Sequence, residues 1–219
     1  MKKVFLSLSF LFFSIFMFVS TASAEDYYND YDWVCDYEFP VTPLVHCVDS
    51  KGEFEHNIYY FAAGNNKCLV VLCHGFNDNQ GFGILMHGQF RHDYANAVSE
   101  SLAYWTRQGA LRGAGNFDYV FMNACHTGYA QLAVKLPIYN VNLVRAINYK
   151  GVTGFSEHAY GNGQVLIRLY RVIPKNTRTT RSEGALANFL QNNGVRGYRS
   201  VGSRSSSRPE GVKILVGEF

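Results

Sequence analysis

Two short apolar runs, each ending abruptly in polar residues, constrain the fold of this 219-residue chain more than any other feature. The first is KCLVVLCHG, residues 67–75, and the second is NFDYVFMNACHTG, residues 116–128. Unbroken aliphatic and β-branched runs of this length are typical of strands buried on both faces, as in a parallel sheet. Residues 92–110, between them, space their apolar side chains at helical intervals. The pattern predicts a strand–helix–strand unit whose two parallel strands are neighbours.

The flanking segments predict further strands and helices. Residues 44–49 and 56–62 flank the turn-like sequence SKGE and predict an N-terminal hairpin within residues 33–62. Residues 182–194 predict a helix with Ser182 as its N-cap. Weaker patterns predict a helix over 137–148, strands over 151–161 and 212–219, and a flexible basic loop over 196–211.

The first 24 residues have the composition of a secretory signal peptide. Two lysines precede a long apolar stretch that ends in Ala-Ser-Ala. Cleavage there leaves one domain over residues 25–219, with its core in residues 55–195, in a secreted or periplasmic protein. The loss of both lysines lowers the formal net charge from +3 to about +1. This balance indicates no nucleic-acid partner, and no other segment is apolar for long enough to imply a membrane.

Five cysteines follow the predicted cleavage site, so disulfide pairing is expected in an oxidising compartment. Cys68 and Cys73 lie in one predicted strand, about 16 Å apart at ~3.3 Å per residue, which is too far for a bond. We interpret both as small buried hydrophobes. Cys35 and Cys47 flank a segment with two prolines that suits a turn, so they are predicted to form a disulfide. Cys125 is then expected to be a free thiol.

His74 and Cys125 are the candidate catalytic residues, because each follows one strand of the predicted parallel pair. Ligand sites in open α/β sheets lie beyond the carboxyl ends of the strands, so both side chains are expected in the same cleft. An imidazole within reach of a thiol supplies the base that thiolate formation requires. The backbone N–H groups of Gly75 and Cys125 are expected to bind a developing oxyanion.

These motifs resemble those of the caspase-like cysteine peptidases, which include caspases, metacaspases, legumains, gingipains and bacterial CHAT domains. LVVLCHG and YVFMNACHTG match the two signatures of the group, and the resemblance covers roughly residues 68–160. It implies an α/β domain with a central, mostly parallel sheet flanked by helices. It also implies a His74–Cys125 dyad that cleaves a protein or peptide substrate through an acyl-enzyme, with no cofactor and no metal in the chemistry.

Three residues are candidates for the substrate pocket. Metacaspases usually carry an acidic residue two positions before the cysteine, where this chain has Asn123, so their basic specificity is not carried over. The predicted strand at 151–161 is expected beside the pocket and contributes Ser156 and Glu157. Glu157 is the only carboxylate of that strand, which predicts a modest preference for Arg or Lys.

Two other functions are compatible with the sequence. A catalytically inactive caspase-like module that binds a partner would have the same strands, although both dyad residues are present here. An α/β hydrolase acting on small esters would have a related topology. Its nucleophile would be Ser156, but GFSEH lacks the second glycine of the G-x-S-x-G motif.

Overall fold

Strands make up most of the regular structure of this protein. The computed structural model describes residues 30–113, 115–131, 133–178 and 184–216. Strands account for 50% of these residues and helices for 14%. The predicted helix-flanked α/β class is therefore wrong, and the protein is mostly β. The predicted signal peptide lies outside the described residues.

Thirteen strands and two helices are formed by the described residues. In chain order the strands are β1 (Tyr31–Val48), β2 (Phe54–Ala63), β3 (Asn66–Cys73), β4 (Gly75–Asp78), β5 (Gly81–Met86), β6 (Gln89–Arg91), β7 (Tyr119–Asn123), β8 (Ala133–Lys135), β9 (Asn142–Arg145), β10 (Thr153–Gly161), β11 (Gln164–Pro174), β12 (Arg199–Ser205) and β13 (Lys213–Ile214). The helices are α1 (Tyr94–Arg107) and α2 (Ala185–Asn192), and a 3-10 turn covers Thr127–Tyr129.

A mixed ten-stranded sheet carries the candidate site. Its strand order is β13-β10-β11-β1-β2-β3-β7-β9-β8, with β12 paired to β1, and a separate three-stranded sheet contains β4, β5 and β6. The predicted strand–helix–strand unit is confirmed, since β3 and β7 are parallel neighbours and α1 lies between them in the chain. The other parallel pair is β7 with β9, in the segment expected to be helical. Antiparallel pairing elsewhere makes the fold mostly β, and a local strand–helix–strand pattern carries no information about those pairings.

The long strand β1 joins two parts of the sheet. Residues 31–41 pair with β11, and residues 42–48 pair with β2 in the predicted N-terminal hairpin, which is confirmed. Pro40 and Pro43 lie where β1 changes partner, and a register shift follows Pro43. Prolines in sheets are confined to such irregular or edge positions because they lack an N–H donor.

The predicted disulfide between Cys35 and Cys47 is wrong. Both residues lie on β1 instead of flanking a turn, and all five cysteines are free thiols. At ~3.3 Å per residue, the twelve positions between them place their Cα atoms far beyond the ~7 Å that a disulfide spans.

The sheet around β3 and β7 is buried on both faces. Apolar residues of α1 pack on one face, which we call the α1 face, together with Leu69 and Val71 of β3. Apolar residues of α2 pack on the opposite face, the α2 face, together with Val70 and Leu72. The N-cap of α2 is Gly184, and Ser182 lies outside the described residues. Cys125 belongs to the α2 face.

The segment expected to be a flexible basic loop, residues 196–211, contains strand β12 instead. This strand pairs antiparallel with β1, and Arg199 lies opposite Glu38. The Glu38 carboxylate is almost fully buried and accepts hydrogen bonds from Arg199 and, at 2.6 Å, from Arg168 of β11. Arg199, one of the arginines that suggested a solvated loop, is therefore the cross-strand partner of a buried acid.

Acid is expected to weaken the fold through Glu38. Burial raises the pKa of this carboxyl, but hydrogen bonds and attraction from Arg168 and Arg199 outweigh it, so the pKa lies below its ordinary value of 4.5. A lowered native pKa gives a stabilising contribution that is complete above the unfolded pKa and is lost as the pH falls through the native one. The free energy of unfolding should therefore fall more between pH 7 and pH 3 in the wild type than in Glu38→Gln. Equal losses, measured by urea unfolding, would contradict this.

Candidate active site

The ends of β3 and β7 bring the backbones of Gly75 and Cys125 together, and His74 directly precedes Gly75. Leu72 lies opposite Asn123 in the parallel pair, so the chain leaves both strands at the same end of the sheet. A Cβ atom placed on Gly75 would lie 2.2 Å from the carbonyl oxygen of Cys125. Only glycine allows the two backbones to approach this closely.

The His74 ring is oriented by a backbone carbonyl. Its Nε2 lies 2.7 Å from the carbonyl oxygen of Phe54, which only accepts, so Nε2 carries the hydrogen in the neutral ring. The lone pair is then on Nδ1, which is buried and has no hydrogen-bond partner among the described residues. The Phe54 ring packs edge-on against the imidazole at 5.1 Å. This environment fixes the orientation of the ring and leaves the buried Nδ1 uncommitted to any hydrogen bond with the described residues.

The Cys125 thiol is held by strand β10. Its Sγ accepts a hydrogen bond from the Thr153 N–H at 3.2 Å and donates to the Thr153 carbonyl at 3.5 Å. Neither bond involves His74, and Cys125 is 0% exposed. Burial raises the pKa of this thiol to about 12, against the lowering influence of N–H groups of Thr153 and Leu215. In this arrangement Cys125 is a protonated, covered thiol.

The two predicted oxyanion donors converge on one atom. The N–H of Gly75 and the N–H of Cys125 both donate to the carbonyl oxygen of Leu215, at 2.9 Å and 3.1 Å. These distances match those of an oxyanion hole, in which two donors lie about 2.7–3.1 Å from the charged oxygen. The sequence predicted the donors but not the acceptor. Nothing in the sequence of residues 212–219 indicates which carbonyl reaches the carboxyl ends of β3 and β7.

The candidate pocket residues differ in their positions. Asn123 lies on the α2 face of β7 and is fully buried, and neither its side-chain oxygen nor its nitrogen has a partner among the described residues. Glu157 accepts a hydrogen bond at 2.7 Å from the hydroxyl of Tyr59, which belongs to the α2 face. Ser156 lies on the opposite side of β10, where its hydroxyl is 3.3 Å from that of Tyr170. Asn123 and Glu157 are thus on the same side of the sheet as Cys125, and Ser156 is not.

One group among the described residues has ligand atoms close enough to suggest a metal site. It contains Cys47, Glu55 and His56, whose atoms lie within 4.8 Å of one another. The His56 Nε2 accepts a hydrogen bond from the Trp105 indole at 3.0 Å, so the hydrogen is on Nδ1, which lies 3.2 Å from Glu55 Oε1 and donates to it. Both nitrogens are therefore committed, and the group does not fit a metal, which needs a free imidazole lone pair.

Comparisons of this chain with family models, curated proteins and solved structures find no match. The resemblance to caspase-like peptidases stays a prediction from the two strand-end motifs. No helix among the described residues is long and apolar enough to cross a membrane. Any functional assignment therefore depends on the geometry around Cys125.

Proposed function

We propose that this protein is an exported cysteine peptidase in which Cys125 is the nucleophile and His74 is the general base. The observation that supports this proposal is the convergence of the Gly75 and Cys125 N–H groups on one peptide carbonyl oxygen. The two donors belong to Cys125, which carries the thiol, and to Gly75, which follows His74 in the chain. A thiol, an imidazole and two convergent donors are the parts that acyl transfer needs.

The reaction has two steps. The Cys125 proton passes to His74 Nδ1, and the sulfur attacks the carbonyl carbon while the Gly75 and Cys125 N–H groups stabilise the oxyanion. The C–N bond then breaks, and the amine leaves with the proton from His74, which produces a thioester. Water attacks the thioester and gives a proton to His74, which returns it to the sulfur as the C–S bond breaks and the carboxylic acid is released.

A peptide is favoured over a small ester because strand β10, beside the site, holds an extended chain segment by backbone pairing. Strand β10 pairs antiparallel with residues 213–214, and Thr153 accepts the next N–H, from Leu215, at 2.9 Å. Backbone pairing with a sheet edge is a general mode of peptide recognition. A small ester has no backbone with which to use these groups.

A second function is favoured by the burial of Cys125. The thiol is covered, protonated and hydrogen-bonded to Thr153 instead of His74. A binding module without catalysis would use the same edge of β10 to hold a peptide and would leave the thiol unreacted. The two functions differ in whether a bound peptide is cleaved.

A peptide-library digestion under reducing conditions tests the proposal. The protein is compared with Cys125→Ala and with Cys73→Ala, a matched control that removes another fully buried thiol from the α1 face. Because Leu215 covers the site, the assay includes Lys213→Glu, which weakens the segment that carries Leu215. We expect more product from Lys213→Glu than from the wild type or Cys73→Ala, in which the segment must first be displaced, and none from Cys125→Ala. Products that are unaffected by Cys125→Ala, or no products from any variant, would contradict a cysteine peptidase.

A further inference from the structure

We propose that the segment Lys213–Val216 occupies the peptide-binding site as a substrate does. The site then selects an aliphatic residue before the scissile bond, and it stays blocked until this segment is displaced. The inference builds on the proposed function and specifies its substrate. By this assignment Leu215 marks the position of the residue that donates the scissile carbonyl, and Val216 lies on the leaving side.

The backbone of the segment makes the contacts that a bound peptide would make. Ile214 lies opposite Gly154 and Lys213 opposite Phe155, in antiparallel register with β10. The Leu215 N–H donates to Thr153 at 2.9 Å, and the Leu215 carbonyl receives both oxyanion donors. The chain then continues alongside Gly75, which forms a parallel bridge with Val216. The segment thus crosses the ends of β3 and β7 directly at Cys125.

The side chains of the segment indicate the preferred residues. Leu215 is 0% exposed and packs in the α2-face cluster that contains Cys125 and Phe155. An apolar environment of this kind favours an aliphatic side chain and opposes a charged one. Two residues earlier, the Lys213 ammonium lies 5.6 Å from the Phe54 ring centre and 5.8 Å from that of Phe155. Stacking of this kind favours a cation at that position.

The same contacts would keep the thiol from reacting while the segment is in place. The buried Leu215 packs in the same cluster as Cys125, and its carbonyl occupies the two donors that a substrate would need. Because the thiol is hydrogen-bonded to Thr153 and not to His74, it keeps its proton, and the segment is bound without being cleaved. Displacement of the segment would release the donors and open the thiol to a substrate.

Peptide cleavage tests the specificity. The probe is a quenched fluorescent peptide that contains Val-Lys-Ile-Leu-Val-Gly, and the controls replace its Leu by Asp or Arg, or its Lys by Glu. We expect cleavage between Leu and Val, with kcat/KM about tenfold or more above the Asp and Arg peptides. The Lys-to-Glu peptide should be cleaved about two- to fivefold more slowly, because it loses the cation–π contact.

Alkylation of Cys125 by iodoacetamide tests the block. Lys213→Glu leaves the core intact and should raise the alkylation rate about two- to fivefold. Leu215→Ala should raise it by about thirtyfold or more, provided that its circular dichroism matches that of the wild type. The matched control is Lys150→Glu, because Lys150 stacks on a different ring, that of Tyr129, at 4.9 Å. This control should alkylate at the wild-type rate.

The outcomes separate this inference from the proposed function. Cleavage after Leu together with faster alkylation in Lys213→Glu supports the inference. Cleavage that depends on Cys125 but occurs after Asp or Arg, or alkylation that is no faster in Lys213→Glu than in Lys150→Glu, overturns the inference and leaves the peptidase assignment intact. The absence of Cys125-dependent cleavage from every peptide and variant overturns both.

Discussion

Replacement of His74 by glutamine is expected to lower kcat/KM for peptide cleavage by about 10²- to 10⁴-fold, the usual contribution of general-base catalysis. Glutamine can donate to the Phe54 carbonyl as the imidazole does at 2.7 Å, so the fold should be retained. What the variant loses is the Nδ1 lone pair, which makes no hydrogen bond to the other described residues. Steady-state kinetics on the best library peptide would measure the loss, and thermal unfolding would verify the fold.

Two further variants make this experiment specific. His126 follows Cys125 directly, but its Nδ1 lies 3.0 Å from the Lys150 carbonyl on the exposed side of the loop. His126→Gln should therefore leave kcat/KM unchanged. The double variant His74→Gln/Cys125→Ala should give no product, as Cys125→Ala does, which shows that any cleavage left in His74→Gln depends on the Cys125 thiol. A His74→Gln enzyme with wild-type kinetics would exclude His74 as the base.

Removal of the Asp36 carboxylate is expected to lower the free energy of unfolding by about 3–5 kcal/mol. Asp36 accepts two hydrogen bonds of 2.7 Å from the Arg171 guanidinium across the β1–β11 pair, and both side chains are buried. Burial raises the pKa of the Asp36 carboxyl. Asp36→Ala would leave the guanidinium in the core without its carboxylate, and urea unfolding would measure the cost.

A neighbouring ion pair on the same strand provides the control. Asp32 pairs with Arg204 of β12, but this guanidinium is about one-third exposed and also donates to the Thr177 carbonyl. Asp32→Ala should therefore cost about 1 kcal/mol or less. The double replacement Asp36→Leu/Arg171→Met should restore most of the lost stability, since a buried ion pair and apolar groups of similar volume are often equivalent. Asp32 and Asp36 are equally buried, so equal costs for the two replacements would show that exposure of the guanidinium does not set the strength of these pairs.

The fold class was the main feature that the sequence did not predict. The parallel pair β3–β7 and the helix α1 follow from apolar periodicity, which is local and readable. The pairing of β1 with β11 and β12 depends on contacts between segments more than 100 residues apart, such as that of Glu38 with Arg168. Tail arginines that pair with buried acids look the same in sequence as arginines in a solvated loop.

The sequence by itself determined the residues at the candidate site and their common location, because two apolar runs that end in His74-Gly75 and in Cys125 form parallel neighbours whose ends coincide. Only the tertiary structure decided the state of that site. The Leu215 carbonyl accepts hydrogen bonds from the two backbone donors, and the Cys125 thiol is hydrogen-bonded to Thr153. Both contacts join segments that are distant in sequence. Hydrophobic periodicity places side chains on the faces of a strand, but it does not encode which distant carbonyl an exposed N–H will meet.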